Sequence, residues 1–275
     1  MPTKAFSSTH PVVLIGAGNM GGAMLSGWLK SGVPGSAVIV VDPGPSPAML
    51  ATINEAGATH LTTLPTDLKA SVLFLAVKPQ VMETVLPAVK SAVGPDTVVV
   101  SVAAGKTLGF LEKHLGKAAM VRAMPNTPAM VGRGVTGAFA NSGVSDPQRE
   151  RVHSLLRVSG PVEWVPAEAD IDAVTALSGS GPAYVFYLVE CMAEAGRKLG
   201  LQADLAMRLA RETVAGAGEL IHQSPDDASR LRENVTSPGG TTAAALAVLM
   251  AEDGMQPLFD AALAAARKRA EELAG

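Results

Sequence analysis

The sequence predicts an α/β protein in which a doubly wound parallel sheet is followed by an all-helical domain. Three observations support this prediction. Short apolar runs alternate with helical patterns through the first 165 residues, which is typical of a parallel sheet covered by helices on both faces. A glycine-rich turn at residues 16–22 joins the first apolar run to the first helix. From about Glu168 onward there is no strand pattern, and Ala and Leu recur at helical spacing.

The elements of the first half follow from local signals. Each predicted strand is a short run rich in Val, Ile, Leu or Ala, and several predicted helices end near glycine. The predicted strands are residues 12–15, 37–41, 58–61, 72–77, 97–102, 119–123, 135–140 and 162–165. The predicted helices are residues 24–30, 49–56, 81–92, 108–115 and 147–158, and the polar residues 1–10 are predicted to form a loose tail.

The second half contains only helical patterns. The predicted helices are residues 173–199, 203–222, 242–251 and 257–273. The change of pattern falls near residues 165–168. We therefore divide the chain into an α/β domain at residues 1–166 and an all-helical domain at residues 167–275.

Composition excludes several classes of protein. The chain is 48% hydrophobic and 17% charged, which excludes a disordered chain. A net charge of −3 gives no basic footprint for nucleic acid. The single cysteine excludes a disulfide framework, and the five histidines have no ligand spacing, so we expect no metal site.

Hydropathy bears on location and assembly. The longest apolar run near the C-terminus, residues 243–251, is far short of the roughly 20 residues of a spanning helix. The N-terminus lacks the charged start and apolar core of a signal peptide. We therefore expect no membrane partner and a cytoplasmic protein. A high apolar content with only 4% aromatic residues hints at a buried subunit interface.

A glycine-rich loop follows the first predicted strand. Residues 16–21 match G-x-G-x-x-G in the strand–turn–helix context that this pattern requires. Gly16 permits the tight turn, Gly18 lets the backbone approach a pyrophosphate, and Gly21 lets the helix pack on the strand. The N–H groups at the helix start would hold the phosphates. A plain glycine turn is the alternative, but the context favours a Rossmann-type dinucleotide site formed by Gly16, Ala17, Gly18, Asn19, Met20 and Gly21.

Asp42 ends the second predicted strand, where the adenosine ribose of a dinucleotide lies. A carboxylate there accepts the ribose hydroxyls and repels a 2′-phosphate. No Lys or Arg occurs between Pro43 and Asp67 to bind such a phosphate. The position therefore favours NADH over NADPH. The alternative is that Asp42 only caps a turn with Pro43 and Gly44.

Ligands of open α/β sheets bind beyond the carboxyl ends of the strands. Two loops there contain the candidate cofactor contacts Ala76, Val77, Lys78, Pro79, Ala103 and Ala104. The small side chains of Ala103 and Ala104 leave room for a nicotinamide ring. Lys78 contacts cofactor or substrate, or else is a solvated surface lysine. Asn126, in a third loop, either lines the site or shapes a turn.

One segment of the helical half has the composition of an anion site. Residues 234–242 read Asn-Val-Thr-Ser-Pro-Gly-Gly-Thr-Thr and directly precede an apolar helix. A helix start with free N–H groups and hydroxyls is a good carboxylate receptor. Two glycines followed by two threonines exceed what an ordinary helix cap needs. The segment therefore predicts an anion site, with an ordinary capped helix as the alternative.

These stretches resemble the pyrroline-5-carboxylate reductases, which catalyse the last step of proline biosynthesis. The matching residues are 15–20, 74–79, 122–128, 172–184 and, most specifically, 235–242. The first stretch alone would not discriminate this family from other dinucleotide-binding proteins. The last two together do so, and the resemblance runs from about Val12 to Leu273.

The resemblance implies a Rossmann domain followed by a helical domain whose helices interlock between two subunits, with dimers often assembled into rings. The implied substrate is pyrroline-5-carboxylate, and the implied cofactor is NADPH or NADH, with NADPH usual in the family. The implied cofactor contacts are Lys78, Ala104 and Asn234. The implied substrate contacts are Ser237, Gly240, Thr241 and Thr242. Thr242 and Lys78 are the candidate catalytic residues.

Two departures from the family pattern bear on the cofactor. Many members carry Ser, Arg or Asn near the end of the second strand, where this chain has Asp42. Many also place an Asn near the adenosine, shortly after the third strand. This chain has no Asn there, so that contact is either lost or replaced by Thr62 or Thr63.

Two other functions fit parts of the sequence. A 3-hydroxyacid dehydrogenase-like reductase would share both halves but would use a catalytic lysine in the helical half. Between residues 165 and 200 only Lys198 is available. A non-catalytic dinucleotide-binding regulator would keep the glycine loop but would need no carboxylate site at residues 239–242.

Overall fold

The computed structural model describes residues 6–274, apart from the side chain of Ala274. Residues 1–5 of the predicted N-terminal tail lie outside this range. Phe6 is 5% exposed and packs in the core, so the prediction of a loose tail is wrong at this residue. Residues 7–10 are exposed.

One eight-stranded sheet is formed in the described part of the chain. Its strands are β1 (Val12–Ile15), β2 (Val38–Val41), β3 (Thr59–Leu61), β4 (Val72–Leu75), β5 (Val98–Ser101), β6 (Ala119–Pro125), β7 (Thr136–Ala140) and β8 (Val162–Trp164). The spatial order is β3-β2-β1-β4-β5-β6-β7-β8, and every neighbouring pair is parallel except β6 and β7. The predicted strands are confirmed within two residues at each end. Because the chain returns from β3 to β4 beside β1, the switch point of the sheet lies between β1 and β4.

The helices of the first half are α1 (Asn19–Lys30), α2 (Pro47–Glu55), α3 (Met82–Val89), α4 (Leu108–Leu115) and α5 (Asp146–Leu156). Their side chains cover both faces of the sheet. In β1, Val12 and Leu14 face a core that includes Trp28 of α1. Val13 and Ile15 face a second core with residues of α3 and α4. This alternation explains why the strand is apolar at every position.

The second half contains α6 (Asp170–Val174), α7 (Gly181–Lys198), α8 (Ala203–Gln223), α9 (Ala228–Asn234), α10 (Thr241–Leu249) and α11 (Met255–Ala274). The single helix predicted at residues 173–199 is wrong, because a π-helical turn at Thr175–Gly179 separates α6 from α7. Helix α9 was not predicted from the sequence. That helix is short, and none of its residues is buried, so it leaves little apolar periodicity to detect.

The chain divides into two compact units. The first contains the described residues up to Gly179 together with the end of α11 from Ala266, and the second runs from Ser180 to Ala265. The boundary expected between residues 166 and 167 stays a prediction. Among the described residues, no helix is both long and apolar enough to cross a membrane.

Candidate active site

The three glycines of the loop after β1 have different surroundings. Gly16 has a φ of +89°, which favours glycine. A Cβ on Gly21 would lie 2.0 Å from the Gly16 carbonyl oxygen, so only glycine allows this approach of α1 to the strand. A Cβ on Gly18 would meet no atom within 4 Å. Gly18 therefore faces open space, as expected where another molecule approaches the backbone.

The start of α1 is available to an anion. Gly18 precedes the helix, no side chain caps it, and no acidic residue lies in its first turn. The first N–H groups of a helix have no partner within the helix, and the helix dipole places partial positive charge there. Asn19 is exposed and Met20 is half-buried beside this opening. These features fit the pyrophosphate of a dinucleotide.

Asp42 links the glycine loop to the turn after β2. Its Oδ2 accepts a hydrogen bond from the Ala17 N–H at 2.7 Å, and its Oδ1 accepts one from the Gly44 N–H at 2.8 Å. His60 Nε2 lies 2.8 Å from the Asp42 carbonyl oxygen. The turn cap that the sequence left as an alternative is thus present. The carboxylate also stands beside the glycine loop, so both interpretations of Asp42 remain compatible with its geometry.

A cavity of about 670 Å³ lies against this loop. Four of the candidate cofactor residues, Ala17, Gly18, Asn19 and Asp42, form part of its wall. The other walls come from the rest of α1, the start of α2 and the loop after β6, and were not predicted from the sequence. Those walls include Ser26, Lys30, Ser46, Met49, Met130 and Val131. No local motif marks these positions, because they meet only in the folded chain.

The loop after β4 lies next to the glycine loop, and the loop after β5 begins beside the end of β4, where the Val102 N–H donates to the Leu75 carbonyl at 3.1 Å. The Ala76 N–H donates to the Ile15 carbonyl at 2.8 Å, and a Cβ on Gly16 would lie 2.9 Å from Val77 Cγ1. Lys78 is exposed and Pro79 is half-buried at the start of a short 3₁₀ turn. In the loop after β5, Ala103 is buried and Ala104 is half-buried. The cofactor candidates of the first unit therefore surround the switch point.

The carboxylate candidates of the second unit lie between α9 and α10. Asn234 is the exposed last residue of α9, and Gly240 precedes α10 without a side-chain cap. The Gly240 N–H donates to the Ser237 carbonyl at 3.0 Å. The turn already uses this N–H, and the role of Gly240 in holding the substrate carboxylate stays a prediction. The donors left at this helix start include those of Thr241 and Thr242.

Thr242 is half-buried, whereas Ser237 and Thr241 are exposed. Gly239 has a φ of +70° with nothing within 4 Å of an added Cβ. The turn therefore presents an uncapped helix start with a hydroxyl in its first turn. Over the range that the structure describes, no group of His, Cys, Asp or Glu could hold a metal ion.

The glycine loop at a topological switch point and the separate helical region define a dinucleotide-dependent oxidoreductase. Residues 11–105 match a family model described as NADP oxidoreductase, coenzyme F420-dependent. Residues 168–273 match the model described as pyrroline-5-carboxylate reductase dimerisation. The chain belongs to the pyrroline-5-carboxylate reductase family, whose members reduce pyrroline-5-carboxylate to proline with NAD(P)H.

Relatives along the full chain establish this membership. The pyrroline-5-carboxylate reductase of Pseudomonas aeruginosa is 41% identical over 272 residues, covering 97% of this chain and 98% of the relative. A solved structure of the Coxiella burnetii enzyme has a TM-score of 0.88 at 38% identity, covering 97% and 99% of the two chains. The Plasmodium falciparum pyrroline carboxylate reductase, solved with NADP bound, has a TM-score of 0.80 at 26% identity, covering 98% and 100%.

Proposed function

We propose that this chain reduces (S)-1-pyrroline-5-carboxylate to L-proline with the residues of the candidate site in defined roles. The observation that carries the proposal is the open face of Gly18 at the uncapped start of α1. A dinucleotide bound with its pyrophosphate there would supply, from its reduced nicotinamide, the hydride that the C=N carbon accepts. The residues proposed to hold it are Gly16–Gly21, Asp42, Ala76–Pro79, Ala103, Ala104 and Asn234.

The substrate is proposed to bind at the start of α10. Its carboxylate would accept hydrogen bonds from the N–H groups of the first turn, where the helix dipole favours an anion. The Thr242 hydroxyl would hydrogen-bond the imine nitrogen, while Ser237 and Thr241 border the same turn. Lys78 is proposed to contact the nicotinamide half of the cofactor. Positioning two reactants can supply several kcal/mol of catalysis without a dedicated acid, and the imine is more electrophilic when it arrives protonated.

The first experiment is steady-state oxidation of NADH and of NADPH with pyrroline-5-carboxylate. Thr242→Ala should lower kcat/KM at least about tenfold, or roughly 1.4 kcal/mol, whereas Thr242→Ser keeps the hydroxyl and should lose less. An unchanged value in Thr242→Ala would remove Thr242 from the mechanism. A folded parent enzyme without activity towards either cofactor would overturn the proposed reaction and favour the hydroxyacid alternative.

NADH and NADPH both remain candidate cofactors. The family model of the first half is described as an NADP oxidoreductase, and the Plasmodium falciparum relative was solved with NADP. Asp42 favours NADH, because its carboxylate stands where a 2′-phosphate would bring further negative charge. We propose that the chain uses both and that Asp42 shifts its preference towards NADH.

Self-association follows from the dimerisation model matched by the second half. In the compact unit from Ser180 to Ala265, the buried apolar residues are only Ala193, Ala206 and Ala210, while Phe186 on α7 is 62% exposed. So small a core needs a further apolar surface to pack against. We propose a dimer that assembles further into a ring, which light scattering would measure as a mass of more than two chains.

Two other features belong to the proposal. We propose that the functional domains divide at residues 166 and 167, since the dimerisation model begins at residue 168. We also propose that the protein works in the cytoplasm. Its one cysteine, Cys191, is free and exposed, which suits a reducing compartment. Fractionation of cells would test the location.

A further inference from the structure

Three alternate residues at the end of β6 all contact one segment of the chain. Side chains two residues apart in a strand point to the same face. Arg122 and Met124 lie in β6, and Asn126 follows it directly. Their partners lie in residues 168–179, which contain α6 and the π-helical turn. We call these three side chains the β6 ladder.

Arg122 is the buried end of the ladder. Its side chain is 3% exposed, and its Nη2 donates to Asp172 Oδ1 at 2.7 Å. Its Nη1 lies 3.5 Å from Glu168 Oε1, and the same oxygen accepts the Leu108 N–H at the start of α4 at 2.7 Å. A charge-assisted pair this well hydrogen-bonded holds α6 against the sheet. It also ties α6 to the helix that follows the Ala103–Ala104 loop.

Met124 occupies the middle of the ladder. A Cβ on Gly179 would lie 2.7 Å from Met124 Cε and 3.7 Å from Thr175 Cγ2. The last residue of the π-helical turn therefore has no room for a side chain unless the end of Met124 moves. The absence of a side chain at Gly179 lets the turn lie directly on β6.

Asn126 completes the ladder with two hydrogen bonds. The residue is 9% exposed. Its Oδ1 accepts the Val135 N–H at 2.9 Å, and its Nδ2 donates to the Ser178 carbonyl at 3.1 Å. Both functional ends of the amide are therefore used, one towards the start of β7 and one towards the π-helical turn.

The Ser178 carbonyl needs this external donor because residue 182 is a proline. In an α-helix it would accept the N–H of residue 182, but residue 182 is proline and has no N–H. The next N–H, that of Ala183, donates to the Ser180 carbonyl at 3.0 Å. Ser178 is half-buried, so a carbonyl without a donor there carries a cost, and the Asn126 amide supplies a hydrogen bond to it.

We propose that Asn126 is a positioning residue for the reduction. Through the Ser178 carbonyl it fixes the π-helical turn that directly precedes α7. The inference rests on the proposed function, because hydride transfer requires the reacting atoms to be held within about 3–3.5 Å. Removal of the hydrogen bond between Asn126 and the Ser178 carbonyl should lower kcat/KM for the substrate. Binding of the cofactor should change little when the Val135 N–H keeps its acceptor at residue 126, because that hydrogen bond holds the loop that lines the cavity beside the glycine loop.

The test uses Asn126→Asp, which has nearly the same shape. It keeps an acceptor for the Val135 N–H but has no donor for the Ser178 carbonyl. We expect kcat/KM for pyrroline-5-carboxylate to fall at least about tenfold, while the Kd of NADPH measured by fluorescence stays within about twofold. Values of kcat/KM within twofold of the parent would overturn the proposal.

A second substitution distinguishes positioning from simple loss of structure. Pro182→Ala places an N–H where the Ser178 carbonyl can accept it. In the Asn126→Asp chain this change should restore part of the lost kcat/KM, about threefold or more, and should reduce hydrogen exchange across residues 175–183 towards the parent level. Strictly additive effects of the two substitutions would contradict a shared carbonyl.

Gly179→Ala serves as a milder variant should Asn126→Asp fold poorly. Its methyl must displace only the end of Met124, so we expect folding to be retained and KM for the substrate to rise about threefold with NADPH affinity unchanged. An unchanged KM would again overturn the proposal. Hydrogen exchange is measured without turnover, so the ladder can be tested even if the parent enzyme proves inactive and the proposed function fails.

Discussion

Replacing Gly18 by alanine tests the dinucleotide site with little disturbance of the fold. Gly18 has a φ of −69°, which alanine adopts freely, and its added Cβ would meet nothing within 4 Å. Alanine is a poorer residue than glycine before a helix, by several tenths of a kcal/mol. It also loses less chain entropy on folding, worth about 0.4–1 kcal/mol. These terms nearly cancel, so the free energy of unfolding should change by less than about 1 kcal/mol.

Cofactor binding should respond very differently. The methyl of Gly18→Ala would occupy the space through which a pyrophosphate approaches the backbone. We expect the Kd of both NADH and NADPH to rise at least about tenfold, which is about 1.4 kcal/mol. Fluorescence titration measures the two Kd values, and thermal unfolding of the same samples shows whether the fold is retained.

Gly21→Ala is the matched control. Its Cβ would lie 2.0 Å from the Gly16 carbonyl oxygen and 3.1 Å from Ala76 Cβ, so the backbone must move by about 1 Å or more. Overpacking of this kind typically costs about 1–3 kcal/mol. At about 2–4 °C per kcal/mol, Tm should fall by several degrees. A folded Gly18→Ala chain that binds both cofactors as tightly as the parent would refute the reasoning about this loop.

Three further predictions rest on single contacts. Asp42→Asn removes a charge and should raise the ratio of kcat/KM for NADPH over NADH about threefold or more; an unchanged ratio contradicts the preference assigned to Asp42. Gly105→Ala should cost about 1–3 kcal/mol in denaturation, because φ is +69° and its Cβ would lie 2.8 Å from Leu273 Cβ. A chain ending before Leu273 should regain part of that loss, and full additivity argues against the contact. The hydrogen bond from the Arg197 guanidinium lowers the pKa of Glu194 from 4.5 to about 2. The small Tm difference between the parent and Glu194→Gln should therefore be present above pH 4.5 and vanish as the pH falls through 2. A Tm difference that grows in acid would contradict this.

The sheet could be predicted from the sequence because each strand carries its own signal. Val12–Ile15 is apolar at every position, and the glycine at residue 16 marks its end. The π-helical turn could not be predicted in this way. The small residues at 177–184 indicate that a helix is interrupted or begins there, but the π-helical form of the turn depends on contacts with Met124 and Asn126, which are some 50 residues distant in sequence. Hydrophobic periodicity reflects only residues near one another in sequence, so it does not predict contacts between distant segments.

For the candidate site, the structure adds which backbone donors the fold itself uses. The sequence marks helix starts at Gly18 and Gly240 as anion receptors, but it cannot say which N–H groups the fold itself uses. The structure assigns the Ala17 N–H to Asp42 and the Gly240 N–H to Ser237. What remains for ligands is the first turn of α1 and the first turn of α10.

The pairing of backbone donors and acceptors also explains why Asn126 is needed beside the π-helical turn. At Ser178 an acceptor, rather than a donor, is left over, because Pro182 interrupts the helical pattern of hydrogen bonds. Among the described helices, the starts of α2, α4 and α5 are capped by the adjacent Ser46, Thr107 and Ser145, whereas the starts of α1 and α10 have no side-chain cap. The open ones are the candidates for cofactor and substrate. A proline that removes one donor creates the need for the amide of Asn126, and a substitution at either residue should change the effect of a substitution at the other.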